Sequence, residues 1–361
     1  MSNTLTSRER LRRCFFGEEV DRPGVYCRTG IPRGDSTYDP LRRLLAERTD
    51  LKRDWGARTL IPERPVYTTV EPYSEDFERH VHRMPTPAGD LLSTRLIGLH
   101  GQPGMITKHW LSDERDIERY LSLPVPEIGD DVDGFFRRDR EVGDRGVAVA
   151  NLGSNPGGEV GELFGSEALA ILSVTHREAI HAVCRREMEL LLRVVDLLIA
   201  RGVGPFFCML GQEYICPPLH GPRDFDDFNV RYDAPIIERV HAAGGRMHVH
   251  CHGPVGKVLD GFLAAGVDVL HPIEPPPMGD LTAVEAKRRL RGRMCIEGNI
   301  QIADMYDAPP EAVRVQTRQL IADAFDDRRG LIVCPTASPY IPRAGWQCIE
   351  QFRAMVEEVG A

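Results

Sequence analysis

The stretch Arg246-Met247-His248-Val249-His250-Cys251-His252-Gly253 is the segment around which the chain is organised. We predict a strand here, and Gly244-Gly245 just before it suits a turn into that strand. The three histidines then share one face, and Cys251 lies on the other. Imidazole and thiol groups clustered at a strand end suit Zn²⁺. The alternative is a polar strand end whose histidines hydrogen-bond with their neighbours.

Outward from this stretch, short apolar strands alternate with amphipathic helices. The predicted strands are 146–152, 204–210, 247–250, 267–273, 294–297 and 331–334. The predicted helices are 177–200, one within 223–243, 255–264, 281–290, 310–324 and 346–359. This repetition predicts an α/β fold with a parallel sheet closed as a (β/α)₈ TIM barrel, because no G-x-G-x-x-G fingerprint follows a strand. An open doubly wound sheet is the alternative.

The first part of the chain is less regular. Thr6-Ser7-Arg8-Glu9 reads as a capping box that opens a helix to about Phe16, and a first strand is predicted at 24–28. Short helices are predicted at 41–46 and 113–123. Residues 55–115 are rich in proline and polar side chains, with short β-prone runs, and are interpreted as an inserted cap or meander. We therefore expect one barrel domain, 1–361, with an N-terminal extension and this β-rich insertion.

The composition of the chain limits the kinds of partner that the protein is expected to bind. The net charge of −9 over 361 residues argues against nucleic acid or an anionic membrane as the main partner. The nine cysteines are an odd, scattered set, which favours free thiols in a reducing cytoplasm. We see neither a signal peptide nor a transmembrane run. We expect a cytoplasmic enzyme that acts on a small molecule. The composition does not decide whether the enzyme is a homodimer.

Polar side chains collect where the predicted strands end, which is where barrel enzymes place their chemistry. The predicted catalytic residues are Glu274, Arg28, Tyr214 and Asn299. The predicted cofactor-binding residues are Asn151, Gln212 and Glu213, and the predicted metal ligands are His250, His252, Cys334 and Glu274. Glu274 is singled out because Pro275-Pro276-Pro277 fixes the backbone beyond it.

Simpler interpretations exist for several of these positions. Gln212 and Asn299 would equally tie loops together. Glu297 would sit in an ion pair beneath the mouth of the barrel, and Cys334 would be a buried core cysteine. His271-Pro272 would merely cap a strand.

Several motifs resemble the uroporphyrinogen decarboxylase superfamily over nearly the whole chain. They are Arg8-Glu9-Arg10, Asp21-Arg22-Pro23, Thr86-Pro87-Ala88-Gly89-Asp90, Gly221-Pro222-Arg223-Asp224-Phe225 through Ile236 to Gly245, the His-x-His/Cys-Gly stretch, and Glu297-Gly298-Asn299. The resemblance implies one of two chemistries on a barrel. One is metal-free decarboxylation of uroporphyrinogen. The other is zinc-dependent methyl transfer between a corrinoid protein and a thiol.

The chain departs from both patterns. Of the decarboxylase signature Arg-Gln-Ala-Gly-Arg, only Arg28 and Arg33 could correspond, and no Phe-Ser-Asp segment follows. The methyltransferase pattern His-x-Cys-Gly would align with His250 to Gly253, with His252 in place of the cysteine. The distant cysteine of that pattern falls near Ala337, three residues after Cys334.

The resemblance therefore implies a zinc methyltransferase in which His250, His252 and either Glu274 or Cys334 hold the metal that binds an acceptor thiol. No D-x-H-x-x-G corrinoid-binding motif is present, so the corrinoid co-substrate would be free or carried by a separate protein. Two alternatives remain. One is a metal-free decarboxylase that binds carboxylates through Arg28, Arg33 and Arg223. The other is a non-catalytic barrel that binds a tetrapyrrole.

Overall fold

The computed structural model describes residues 4–28 and 30–360, and its elements alternate as predicted from residue 146 onward. The strands are β1 (Gly24–Val25), β2 (Leu51–Gly56), β3 (Tyr67–Pro72), β4 (Phe77–Met84), β5 (Leu91–Gly98), β6 (Met105–Lys108), β7 (Gly146–Ser154), β8 (Phe206–Leu210), β9 (Arg246–His250), β10 (Val269–His271), β11 (Cys295–Ile300) and β12 (Leu331–Pro335). The helices are α1 (Ser7–Phe15), α2 (Asp39–Arg48), α3 (Glu114–Leu121), α4 (Asp133–Val142), α5 (Pro156–Thr175), α6 (Arg177–Ala200), α7 (Pro222–Phe225), α8 (Arg231–Ala242), α9 (Leu259–Ala265), α10 (Ala283–Leu290), α11 (Asp304–Asp307), α12 (Pro310–Ala324) and α13 (Ile349–Val359).

The main sheet has eight parallel strands in the order β1-β12-β11-β10-β9-β8-β7-β2. Strands that follow one another in this sheet are neighbours, which is the order expected of a barrel. The sheet is curled into a half-barrel that is consistent with a TIM-like barrel. Strands β3 to β6 form a separate four-stranded antiparallel sheet, so the predicted β-rich insertion is confirmed.

The two ends of the curled sheet meet at Asp50. Within the described residues β1 and β2 form no ladder, but Asp50 N donates a hydrogen bond to Val25 O at 2.9 Å. The Asp50 carboxylate accepts from Val25 N at 3.0 Å and from Arg10 Nη1 at 2.7 Å. Because Arg10 belongs to α1, this buried pair also ties the N-terminal helix to the sheet.

Helix α1 closes one end of the sheet interior. It begins as predicted, with the Thr6 side chain accepting from Glu9 N. Its residues Cys14 and Phe15 pack with inward-facing residues of the strands, among them Phe206 of β8. The outward-facing residues pack against the surrounding helices in a second, larger core.

The sequence analysis missed β2, α4, α5 and the short helix α11. Strand β2 looked polar because Lys52 and Asp54 lie on it, yet the Lys52 side chain is buried in the sheet interior. Helix α5 was not predicted, because the glycines within residues 153–158 indicate a turn. In the structure Asn155 caps α5 through a hydrogen bond from Gly158 N at 2.7 Å.

Two further observations concern the cysteines and the possibility of a membrane-spanning helix. All nine cysteines are buried free thiols, as predicted. None of the described helices is both long and apolar enough to cross a membrane.

Candidate metal centre and active site

The candidate site lies where β9 and β10 end. These strands pair in register, so His250 is opposite His271. His248 and His250 point to the inside of the sheet. Cys251 packs on the opposite face, in the core between sheet and helices, as strand alternation predicted.

We call Arg28, His250, His252, His271 and Glu274 the mouth cluster. Nδ1 of His250 lies 2.8 Å from Nδ1 of His271. Nδ1 of His252 lies 3.3 Å from Oε1 of Glu274, whose Oε2 accepts from Gly253 N at 2.8 Å. The rings of His250 and His252 stand at right angles with centroids 4.5 Å apart.

Arg28 belongs to the mouth cluster and lies three residues beyond the end of strand β1. This strand is shorter than predicted and ends at Val25, although Tyr26 N still donates to Val333 O of β12 at 3.3 Å. Nη1 of Arg28 lies 3.1 Å from Nδ1 and 2.9 Å from Nε2 of His250. The Arg28 N–H is thus within hydrogen-bonding distance of both ring nitrogens and donates to the one that carries the lone pair. Burial and the charge of Arg28 lower the pKa of His250 far below its usual range, so this imidazole is neutral.

Deeper in the sheet lies a second group, which we call the interior cluster: Tyr26, Lys52, His248, Glu297 and Cys334. Oε2 of Glu297 accepts from Tyr26 Oη at 2.5 Å and lies 2.9 Å from Nε2 of His248. Glu297 is fully buried, and its Oε1 has no hydrogen-bond partner. The sequence analysis allowed for an ion pair of Glu297 beneath the mouth, and the structure places this carboxylate against Tyr26 and His248.

Charges in the interior cluster compensate one another. Burial alone would raise the pKa of Glu297, but His248, His271 and Lys52 lower it well below its ordinary value. Burial would lower the pKa of Lys52, but the carboxylates of Asp54 and Glu297 raise it. Both groups are therefore charged at neutral pH, and Lys52 balances one of the carboxylates without any further ion.

One set of donor atoms is compact enough for a metal. Among the described residues, ligand atoms of His271, Glu297 and Cys334 all lie within 4.8 Å of one another, a nitrogen, oxygen and sulfur set that is compatible with Zn²⁺. All three side chains are completely buried, and burial raises the pKa of the Cys334 thiol. Of the predicted ligands, only Cys334 belongs to this set. His250, His252 and Glu274 lie above it in the mouth cluster.

The remaining predicted site residues lie at or near the carboxyl ends of the sheet strands. Glu213 is near His252 and Arg28, and burial raises the pKa of its carboxyl, whose Oε2 is buried without a hydrogen-bond partner. Asn299 lies on β11 opposite Cys334. Tyr214 is turned away and lines a cavity of about 480 Å³ with Trp110 and Glu162.

Two predicted cofactor-binding residues hold loops together. Oδ1 of Asn151 accepts from Gly153 N at 2.8 Å. Nε2 of Gln212 donates to Asp233 at 2.9 Å, the alternative considered for this residue. Gly211, before Gln212, has φ 105° and packs against Gly158, which fixes the start of this loop. A cofactor role for Asn151, Gln212 and Glu213 stays a prediction.

Sequence reasoning missed Tyr26 and Lys52 as parts of the site. Lys52 belongs to a strand that was not predicted. The available signal was the alternation of Leu51, Arg53 and Trp55 with Lys52 and Asp54, which fits a strand with one polar inner face.

Residues 163–359, more than half of the chain, match the family model described as uroporphyrinogen decarboxylase (URO-D). The chain belongs to the URO-D family. None of the curated protein sequences matches it.

The fold is similar to that of a methyltransferase from Methanosarcina mazei, with a TM-score of 0.64 and 13% identity over 99% of this chain and 98% of that one. A B12-independent methionine synthase from Shewanella sp. W3-18-1 is less similar, with a TM-score of 0.47 and 13% identity over 82% of this chain and 76% of that one. At 13% identity, the similarity to the Methanosarcina mazei methyltransferase shows only that the two chains share a fold.

Proposed function

We propose that this URO-D family member is a zinc-dependent methyltransferase that moves a methyl group between a corrinoid and a thiol, on a closed barrel. The observation that carries the proposal is the geometry of His250 and His252. Nδ1 of His250 faces His271 and Nδ1 of His252 faces Glu274, so a metal would bind through Nε2, and at His250 it would displace Nη1 of Arg28, which lies 2.9 Å from that nitrogen. The fold shared with the Methanosarcina mazei methyltransferase suits this class.

The donor types at the mouth suit Zn²⁺, and the compact set of His271, Glu297 and Cys334 adjoins them through the 2.8 Å contact between His250 and His271. Two imidazoles are combined at the mouth with nearby carboxylates, and Glu213 has a buried oxygen without a partner. Glu274 and Cys334 remain the ligands predicted to complete the set, and Cys334 would have to be reached from the interior cluster. Bound zinc would lower the pKa of an acceptor thiol, so that its thiolate forms near neutral pH.

The protein side chains then have separate tasks. His250 and His252 hold the metal. Arg28, beside His250, binds an anionic group on the acceptor and so orients its thiol. Because the chain has no D-x-H-x-x-G motif, the corrinoid is presented by a separate protein or binds free.

Metal analysis tests this proposal. We expect about one zinc per chain in purified protein, lost in His250→Ala and kept in Cys251→Ser, whose side chain is on the other face of the strand. Methylcobalamin with a small anionic thiol should give methylated thiol only when zinc is present. Protein that neither contains nor takes up zinc would exclude the proposal.

A metal-free decarboxylase is the second candidate, since Arg28 could bind a substrate carboxylate. It is weaker because Arg33 is exposed, and Arg223 is 87% exposed and lies 4.0 Å from Asp227 of the adjoining helical turn. Carboxylic acid turnover by zinc-free protein would favour it. Tight tetrapyrrole binding without turnover would favour the non-catalytic barrel.

A further inference from the structure

A cavity outside the mouth lies between the antiparallel insertion sheet and helix α5. Its volume is about 480 Å³, which is within the range of about 300–1,000 Å³ that is usual for small-molecule sites. Two residues of its wall, Ile106 of β6 and Tyr214, are 47% and 37% exposed, so solvent reaches the cavity. None of its lining residues belongs to the mouth cluster or to the interior cluster.

Two glycines of α5 allow aromatic rings to form part of the cavity wall. A Cβ atom on Gly161 would lie 2.3 Å from Cγ of Tyr214, and one on Gly165 would lie 2.4 Å from Nε2 of His109. Cβ atoms do not approach other atoms so closely, so each ring can lie against the helix only because the residue beneath it is glycine. Tyr214 and His109 come from distant segments, yet they lie side by side along one helix.

A third ring, that of Trp110, completes the aromatic part of the wall. Trp110 follows β6 directly after His109, and its ring centroid lies 6.5 Å from that of His82 on β4. Ile106 and Leu163 add apolar surface to the same cavity. Aromatic faces attract a cation that lies within about 6 Å of the ring centroid, and tryptophan and tyrosine do so best.

The charged side chains of this wall are carboxylates. Glu159 and Glu162 line the cavity, and the described lining residues include no lysine or arginine. The charge of Glu159 is compensated by Arg58, whose Nη1 lies 3.2 Å from it. Glu162 accepts a hydrogen bond from Ser154 Oγ at 2.8 Å and forms no ion pair with the part of the chain that the structure describes. Its carboxylate is therefore left for a cation from solution.

We propose that this cavity binds an organic cation with alkyl groups on its nitrogen, such as a quaternary ammonium compound. The rings and the carboxylate attract the charge, and the alkyl groups pack against the apolar wall. A metal ion would need donor atoms that lie closer together. Among the described residues, the compact set of three donors is that of His271, Glu297 and Cys334, outside this cavity.

The proposal gives Tyr214 a binding role in place of the catalytic role predicted from sequence. It does not depend on zinc or on methyl transfer at the mouth. Metal-free protein is therefore suitable for its test, and the outcome leaves the proposed function untouched.

Calorimetric titration of the metal-free full chain with choline tests the site. Burial raises the pKa of Glu159 to about 7, so the titration is made at mildly alkaline pH, where this carboxyl is ionised, and at constant ionic strength. The comparison ligand is 3,3-dimethyl-1-butanol, a neutral molecule with the shape of choline. We expect choline to bind at least about tenfold more tightly, because only the cation is attracted by the rings and the carboxylate. Equal affinities, or no binding of choline, overturn the proposal without need of any variant.

Two variants locate the cation within the molecule. Glu162→Gln should weaken choline binding about three- to fivefold and leave binding of the neutral alcohol unchanged. Glu167→Gln is the matched control, since it removes an exposed carboxylate of the same helix outside this cavity, and it should change neither affinity. Gly161→Ala should push the Tyr214 ring off α5 and weaken both ligands. Unchanged choline binding in both folded variants, Glu162→Gln and Gly161→Ala, would place the cation elsewhere and overturn the proposal.

Discussion

Nη1 of Arg28 lies 2.9 Å from Nε2 of His250, so a permanent positive charge rests against the imidazole that we propose as a metal ligand. The same charge opposes a cation and attracts an anion. Arg28 therefore ties metal binding at His250 to the presence of an anionic substrate beside it.

Replacing Arg28 should separate these two effects. In Arg28→Gln we expect Zn²⁺ to bind about fivefold more tightly, since about 1 kcal/mol of repulsion is removed. The KM for an anionic thiol should rise at least about tenfold, because a charge-assisted hydrogen bond is lost. Zinc titration and steady-state kinetics measure the two changes.

Arg33→Gln is the matched control for Arg28, as it removes an exposed arginine five residues away. It should leave both quantities unchanged. If Arg28→Gln instead weakens zinc binding, then Arg28 supports the metal site structurally and its charge does not oppose the ion.

Glu297→Gln should destabilise the protein by about 3–5 kcal/mol, because it removes a buried counter-charge of Lys52 and leaves Asp54 as the remaining carboxylate beside it. The folded-state pKa of Glu297 is lowered below its ordinary value of 4.5. Its stabilising contribution is therefore present above that value and is lost as the pH falls toward the lower folded-state pKa.

Thermal unfolding across acid pH measures this contribution. Wild-type protein should lose stability below about pH 4.5 more steeply than Glu297→Gln. Zinc content should be the same in both, since we place the metal in the mouth cluster. Loss of zinc in a folded variant would instead assign the metal to His271, Glu297 and Cys334.

Asp50→Asn should also cost about 3–5 kcal/mol, because it breaks the buried pair with Arg10 at the place where β1 and β2 meet. Urea unfolding measures the loss. The pair between Arg8 and Asp139 is a matched control, since both side chains are about one-third exposed and Asp139→Asn should cost no more than about 1 kcal/mol. Equal losses would mean that Asp50 does not close the sheet.

Local patterns were enough to predict most elements of the fold. The apolar runs and amphipathic spacing located the strands from β7 to β12 and such helices as α6 and α12, both predicted with their observed bounds. These features depend on period and on capping residues, which act within a few positions along the chain. The β-rich insertion was likewise visible in its composition.

The sequence also determined which side chains would collect at one edge. His250, His252 and Glu274 follow neighbouring strands, and parallel strands bring their carboxyl ends together. That was sufficient to expect a donor-rich mouth. It was not sufficient to say which atoms face one another.

Tertiary structure alone decided those pairings. The burial of Lys52 on strand β2 depends on tertiary structure, because the folded sheet brings Glu297, 245 residues away along the chain, near this charge in addition to Asp54. Likewise, His250 lies 2.8 Å from His271, whose other ring nitrogen lies 3.1 Å from the carbonyl oxygen of Pro335. Pro335 is 85 residues from His250 along the chain. Hydrogen-bond direction is a property of three-dimensional contact, and no periodicity in the sequence encodes it.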